Sequence, residues 1–318
     1  MTSEFGLIEH YFARPTPSAT LGIGDDAALR RLTPGLELAI STDMLIAGTH
    51  FYPDADARKL GWKTLAVNVS DLAAMGAQPR WATLAIALPE ADEHWLAAFA
   101  DGFFKCAQQY GVELIGGDTT RGSLSFSVTI LGEVDRAQAL RRDAARAGDD
   151  IWVSGTLGGA ALGLAALQGK VKLDDTDRTH CLRALETPQP RVALGLALRG
   201  IAHAAIDISD GLLADLGHIL ERSGLGAEIR FDALPAHAAL QPRLAEPWAQ
   251  NCLLAGGDDY ELCFTAPAVR RDDIARLCAQ LNLPLHRIGE MTAGSGLTLR
   301  DADGQPMPTG KSGYDHFA

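Results

Sequence analysis

From Leu124 to Val134 the chain reads LSFSVTILGEV, with apolar and polar residues in near-regular alternation. That period of two predicts a half-buried antiparallel strand. Short apolar runs bounded by turn residues predict further strands near 37–45, 81–88 and 113–116, and helical spacing predicts helices near 58–76 and 92–110. The first helix is unusual. Within LGWKTLAVNVSDLAAMG, Thr64, Asn68 and Asp71 fall at i, i+4 and i+7 on an otherwise apolar cylinder. A surface helix shows the reverse pattern, so this stripe predicts a polar internal site facing it.

After Val134 the character changes to DRAQALRRDAARAGDD, charged and alanine-rich, which predicts a junction at 137–147 between a domain at 1–136 and another at 148–318. The second half predicts strands near 151–154, 204–208, 227–231, 259–265 and 297–300, with helices near 159–168, 178–186, 189–200, 211–222 and 271–282. This mixed order argues for α/β and α+β architecture in two lobes. Ile151–Gly169 carries no charge over 19 residues but holds five glycines. It reads as a buried strand, turn and small-residue helix rather than a membrane span.

With 47% hydrophobic and 21% charged residues in 318, the balance is that of a folded chain with ample core. The net charge of −12 argues against nucleic acid or an anionic membrane as partner. Phosphates remain accessible to such a chain if divalent cations bridge the two negative partners. The five scattered cysteines form no C-x-x-C pair and read as buried thiols in a reducing cytoplasm. The N-terminus lacks a signal-peptide pattern. Gly310-Lys311-Ser312 superficially suggests a phosphate-binding loop, but five residues rather than four separate Gly304 from Gly310, and Pro306 and Pro308 remove two amide donors.

The candidate chemistry lies in carboxylates set in apolar or glycine-rich surroundings. GIGDDAAL places Asp25 and Asp26 in a tight loop, and AISTDML puts Ser41 and Asp43 on one face of a strand, about 7 Å apart by strand rise. LIGGDTTRG ends a strand with Asp118, and AIDISDGLLADL ends another with Asp207, Ser209 and Asp210 before a helix. Each has a structural reading as a turn or a cap. Together they favour phosphate held through Mg²⁺ or Mn²⁺, since buried carboxylates repel unless neutralised and oxygen-only donors suit these ions. SGTLGGAALG at 154–163 lacks full dinucleotide-loop spacing and reads as a tight strand-to-helix turn.

These motifs, in this order, resemble the thiamine-monophosphate kinase family, within the aminoimidazole ribonucleotide synthetase-like superfamily. The resemblance runs nearly end to end through EFGLIEHYF, GIGDDAA, STDMLIAGTHF, GWKTLAVNVSDLAAMGAQP, GGDTTRG, RRDAARAGD, VSGTLG, DISDGL, GGDDYEL and GYDHF. It implies an N-terminal α/β lobe that pairs across a homodimer, a C-terminal α+β lobe, and a cytoplasmic enzyme that transfers the γ-phosphoryl group of ATP to thiamine monophosphate. It assigns Asp26, Ser41, Thr42, Asp43, Asp71, Asp118, Asp207 and Asp210 to several Mg²⁺ ions, and Gly117, Asp118, Arg142 and Ser209 to ATP. His50, Asp258 and Tyr314 fall to the substrate, with Asp258 where the family usually carries Glu and Tyr314 where it often carries Trp. No side chain is required as a catalytic base. The rivals are a sister ATP-using activity of the superfamily and a nucleotide-binding scaffold without turnover. The selenophosphate enzyme would want an N-terminal Cys, and the first Cys here is Cys106.

Overall fold

The computed structural model describes residues 4–24, 26–310 and 313–314, and it divides into two compact units: Met1–Leu72 with Ala77–Ala137, and Ala73–Gly76 with Gln138–Ala318. In the first, α1 (Glu4–Leu7) runs into a π-helical turn at Ile8–Phe12. Strands β1 (Glu37–Ile46), β2 (Gln78–Leu88), β3 (Glu113–Arg121) and β4 (Ser125–Val134) form a sheet in the order β1-β4-β2-β3. β4 is antiparallel to both β1 and β2, while β2 and β3 run parallel, joined through a helix.

The alternation in β4 is realised as expected. Phe126, Val128 and Ile130 are buried on one face, directly across from Leu45, Asp43 and Ser41 of β1. Two helices, α2 (Ala57–Ala74) and α3 (Glu93–Tyr110), accompany the sheet. α3 starts where Asp92 accepts hydrogen bonds from the amides of His94 and Trp95, and ends at left-handed Gly111. Its Phe99 stacks on Phe126 at 4.7 Å between ring centres. The helices meet backbone to backbone: a Cβ on Gly61 would lie 2.0 Å from the Phe99 carbonyl oxygen, and one on Gly102 only 1.8 Å from that of Arg58. This close approach buries α2 nearly all round, Leu65 and Val69 completely.

β3 departs from expectation. The pair Gly116-Gly117 resembles a strand end, but the strand continues to Arg121 and Asp118 sits in mid-strand opposite Ala85. Gly117, with φ at +155°, presses against β2, where a Cβ would fall 1.9 Å from the Leu84 carbonyl oxygen. Glycine here serves close strand packing rather than a turn.

The second unit is built on a seven-stranded mixed sheet in the order β11-β10-β7-β9-β5-β8-β6. Its strands are β5 (Asp149–Ser154), β6 (Ala204–Asp207), β7 (Gly226–Arg230), β8 (Leu262–Pro267), β9 (Leu285–Thr292), β10 (Gly296–Arg300) and β11 (Pro306–Met307). The helices are α4 (Gly159–Leu167), α5 (Asp175–Glu186), α6 (Val192–Ala197), α7 (Leu212–Ser223), α8 (Pro247–Ala255) and α9 (Arg271–Leu281). Ile151, Val153, Ile206 and Cys263 pack with Leu212, Leu216 and Ile219 of α7 in one core. Ala205, Leu262 and Phe264 pack with Leu194, Leu198 and Ile274 in another. Alternate residues of the same strands thus feed two cores, which is why these strands are apolar throughout.

The uncharged stretch 151–169 is β5, a turn and α4, as the glycines predicted. Among the described residues no helix is long and apolar enough to cross a membrane. α8 and β9 have no counterpart in the sequence-based expectations. PWAQNCLLA is short with a broken apolar period, and LHRIGEMT buries only Ile288 and Met291 of its eight residues. Neighbouring elements, not local pattern, decide both segments.

Candidate functional site

In the first unit the polar stripe of α2 faces β1. Thr64 donates to the Leu60 carbonyl at 2.8 Å, and Asn68 donates to that of Thr64 at 3.1 Å. The Asn68 side-chain oxygen also accepts the Asp43 amide at 3.0 Å, fastening helix to strand. Two of the three stripe residues therefore hold structure. The third, half-buried Asp71, accepts a 2.5 Å hydrogen bond from the Ser41 hydroxyl, beside half-buried Asp43. Ser41, Asp43 and Asp71 form an oxygen-only group, the donor chemistry that suits a hard cation such as Mg²⁺.

The other residues of that unit lie elsewhere. Thr42 points to the opposite face of the sheet and meets the Thr129 hydroxyl at 2.9 Å. Asp118 shares that open face, because it pairs with Ala85, which pairs with Ser127, which pairs with Met44. Asp26 is exposed in a loop after Gly24, whose φ is +121°, and Asp25 lies outside the described residues. His50 closes the turn after β1, its Nδ1 accepting the Ile46 amide at 3.0 Å. Among the described residues no group of three or more His, Cys, Asp or Glu is placed to hold a metal ion. The carboxylates of this unit are divided between two faces of one sheet.

The second unit does gather its residues. β6 ends at buried Asp207 and leads through Ile208–Gly211 into α7. The 256–259 loop extends the β6/β8 pairing: the Asp258 amide donates to the Ser209 carbonyl and the Tyr260 amide to that of Ile208, each at 2.8 Å. Asp258 and Tyr260 adopt left-handed backbone, φ +69° and +50°, and the Tyr260 hydroxyl donates to Asp258 at 3.2 Å. The tail arrives at the same loop, the Tyr314 amide donating to the Asp210 carbonyl at 3.2 Å. Ser209, Asp210, Asp258 and Tyr314 are thereby brought together from three stretches of chain. Arg142 is not among them. Its carbonyl accepts from Ser223 at the far end of α7, roughly 16 Å of helix beyond Leu212.

Three supporting acids escape sequence reasoning. Asp259 accepts the Gly158 amide at 2.8 Å and that of Ala160 at 3.5 Å, at the N-terminus of α4. The glycine turn at 154–163 is thus already served from within the chain. Glu261 takes a paired hydrogen bond from Arg191 and another from the Ser154 hydroxyl at 2.6 Å. Asp215 accepts the amides of Ser209, Asp210 and Gly211 on one oxygen. GGDDYEL and SDGLLAD carried the signal, as acids bordering selected motifs.

Residues 24–134 match the family of AIR synthase related protein, N-terminal domain, and residues 146–302 match its C-terminal domain. The thiamine-monophosphate kinase of Salmonella typhimurium is 48% identical, over 99% of this chain and 98% of its own. The chain belongs to the thiamine-monophosphate kinase family. The crystal structure of the Stenotrophomonas maltophilia K279a member is 53% identical with a TM-score of 0.85, covering 92% of this chain and 93% of that one. The structure of AaThiL complexed with AMPPCP and TMP is 31% identical with a TM-score of 0.79, covering 90% and 89%.

The electrostatics around these loops of the second unit are shaped by burial. Burial pushes the Asp215 carboxyl up to about 7, opposed by the three amides that favour its charged form. Burial likewise raises Asp259 well above the carboxylate range, against the amides of Gly158 and Ala160. Tyr314 is 55% exposed.

Proposed function

We propose that this chain transfers the γ-phosphoryl group of ATP directly onto the phosphate of thiamine monophosphate, giving thiamine diphosphate and ADP. The observation that carries the reading is the gathering of Ser209, Asp210, Asp258 and Tyr314 at one loop, in a chain 48% identical to a thiamine-monophosphate kinase over its length. The acceptor is a phosphate monoester with a second pKa near ~6, already largely anionic at neutral pH, so no strong base is needed. Alignment of two polyanions is the difficulty.

In this reading Asp26, Ser41, Thr42, Asp43, Asp71 and Asp118 of the first unit, and Asp207 and Asp210 of the second, hold Mg²⁺. The ions supply charge neutralisation for the phosphates. Gly117, Asp118, Arg142 and Ser209 contact ATP, and His50 and Asp258 contact thiamine monophosphate. The exposed Tyr314 ring offers its face to the cationic thiazolium. Residues 1–136 and 148–318 act as the two functional domains, with 137–147 as their junction, and the five free thiols suit a cytoplasmic setting.

The chain acts as a homodimer through the first unit. β1 is an edge strand whose open face exposes Leu38, Ile40, Met44 and Ile46, Ile40 at 61%. A row of apolar side chains on an unpaired edge is a surface that a second copy covers. Thr42 and Asp118 stand on that same face. Sedimentation of the Ile40→Glu variant as a monomer checks the assembly; an unchanged dimer overturns it.

A coupled ADP-release assay with thiamine, thiamine monophosphate and unrelated phosphomonoesters tests the reaction. Turnover is expected with the monophosphate alone. Equal rates on unrelated monoesters, or none on thiamine monophosphate, overturn it.

A further inference from the structure

Asp215 sits in the first turn of α7 and is only 3% exposed, so it offers nothing directly to a ligand. Its Oδ2 accepts three consecutive amides, Ser209 at 3.0 Å and Asp210 and Gly211 at 3.1 Å. Three successive amides converging on one point make the kind of concavity that binds an external anion. Here the chain fills it with its own carboxylate. Because these peptides turn their N–H groups inward, their carbonyls are left for the other side. The Ser209 carbonyl accepts the Asp258 amide and the Asp210 carbonyl accepts the Tyr314 amide. Glycines permit the fit: a Cβ on Gly257 would lie 2.4 Å from the Ser209 carbonyl oxygen, and one on Gly313 2.8 Å from that of Asp210.

We propose that Asp215 is the positioning residue of the second unit, a buried carboxyl oxygen whose hold on residues 209–211 sets Ser209 and Asp210 on one side and docks the Asp258 loop and the Tyr314 tail on the other. One buried carboxylate thus orders the nucleotide end and the substrate end together. The inference rests on the proposed roles of Ser209, Asp210, Asp258 and Tyr314, and it deepens that reading by making the two ends interdependent.

The test compares Asp215→Ala, Asp215→Asn and Ile219→Ala in the full chain, the last removing apolar packing from the same helix. Calorimetry below the melting temperature of each variant reads binding of Mg·ATP and of thiamine monophosphate separately. Asp215→Ala is expected to weaken both about tenfold or more, since three amides lose their common acceptor. Asp215→Asn, whose amide oxygen still accepts, recovers part of both, and Ile219→Ala leaves both within about twofold. Loss of only one ligand, or equal losses in Ile219→Ala, overturns the inference. Hydrogen exchange separates this from failure of the functional reading. Faster exchange of the 209–211, Asp258 and Tyr314 amides is expected in Asp215→Asn, whether or not the parent protein binds thiamine monophosphate. Unchanged exchange at those amides overturns the positioning role by itself.

Discussion

The two units carry similar acids on different backbone. In the first, Ser41, Asp43, Asp71 and Asp118 stand on regular elements, a helix or strands paired in one sheet. Strand alternation sends Ser41 and Asp43 to one face of the sheet and Thr42 to the other. In the second, Ser209, Asp210 and Asp258 ride on irregular loops whose backbone groups need partners. Those partners are Asp215, the neighbouring loop and the tail, so the loops that carry the chemistry are also cross-braced. Asp71, which accepts from a strand residue, is thus expected to be replaceable at little structural cost, whereas Asp215, which accepts from a loop, is not.

The largest effect that would break this contrast concerns Asp71. Excess EDTA is expected to abolish turnover, because the acidic residues would otherwise repel ATP. Asp71→Asn keeps the shape that accepts the Ser41 hydroxyl and removes one negative charge near Asp43. Its rate should fall about a hundredfold or more while the metal-free protein melts no lower than the parent. Rate measurements and melting curves with and without Mg·ATP decide, and a destabilised but active variant would reverse the assignment.

Next in size is a stability effect confined to the first unit. Gly61→Ala forces a methyl to within 2.0 Å of the Phe99 carbonyl oxygen, so α2 and α3 must part. About 1–3 kcal/mol should be lost, read as a lower urea midpoint. An unchanged midpoint would mean the helices are not held by backbone contact.

Tyr314→Ala sharpens the comparison from the other side. Loss of the aromatic face should weaken thiamine monophosphate binding about two- to thirtyfold and leave Mg·ATP binding unchanged. An equal loss of ATP affinity in calorimetry would move the tail to the nucleotide end. The smallest effect is one of pH. Burial alone would raise the Asp150 carboxyl, but Arg271 at 2.6 Å and Arg287 at 2.5 Å bring it below its ordinary range. A depressed folded-state pKa contributes stability that is full above the unfolded value near ~3.9 and is lost as pH falls through the folded one. Asp150→Asn should therefore flatten the acid limb of the stability curve, measured by urea midpoints between neutral and acid pH.

The arrangement of Ser41, Asp43 and Asp71 was open to sequence reading because it rests on period. A strand of alternating residues and a helix with polar residues at i, i+4 and i+7 reveal which side chains share a face before any neighbour is known. The same rule marks Thr42 as facing away from Ser41 and Asp43. Tertiary pairing alone settled that Asp118 joins Thr42, since β3 runs on past Gly117 and its register against β2 is long-range. The 209–211 loop shows the limit most clearly. Its acids could be selected by type, but Asp215 as their brace follows from how an irregular loop folds back on the helix that comes next, and Asp259 at the α4 terminus and Tyr314 docked on Asp210 follow from hydrogen bonds between segments distant in sequence. Periodicity reports what one element does with its own backbone, and it is silent where a backbone group finds its partner a hundred residues away.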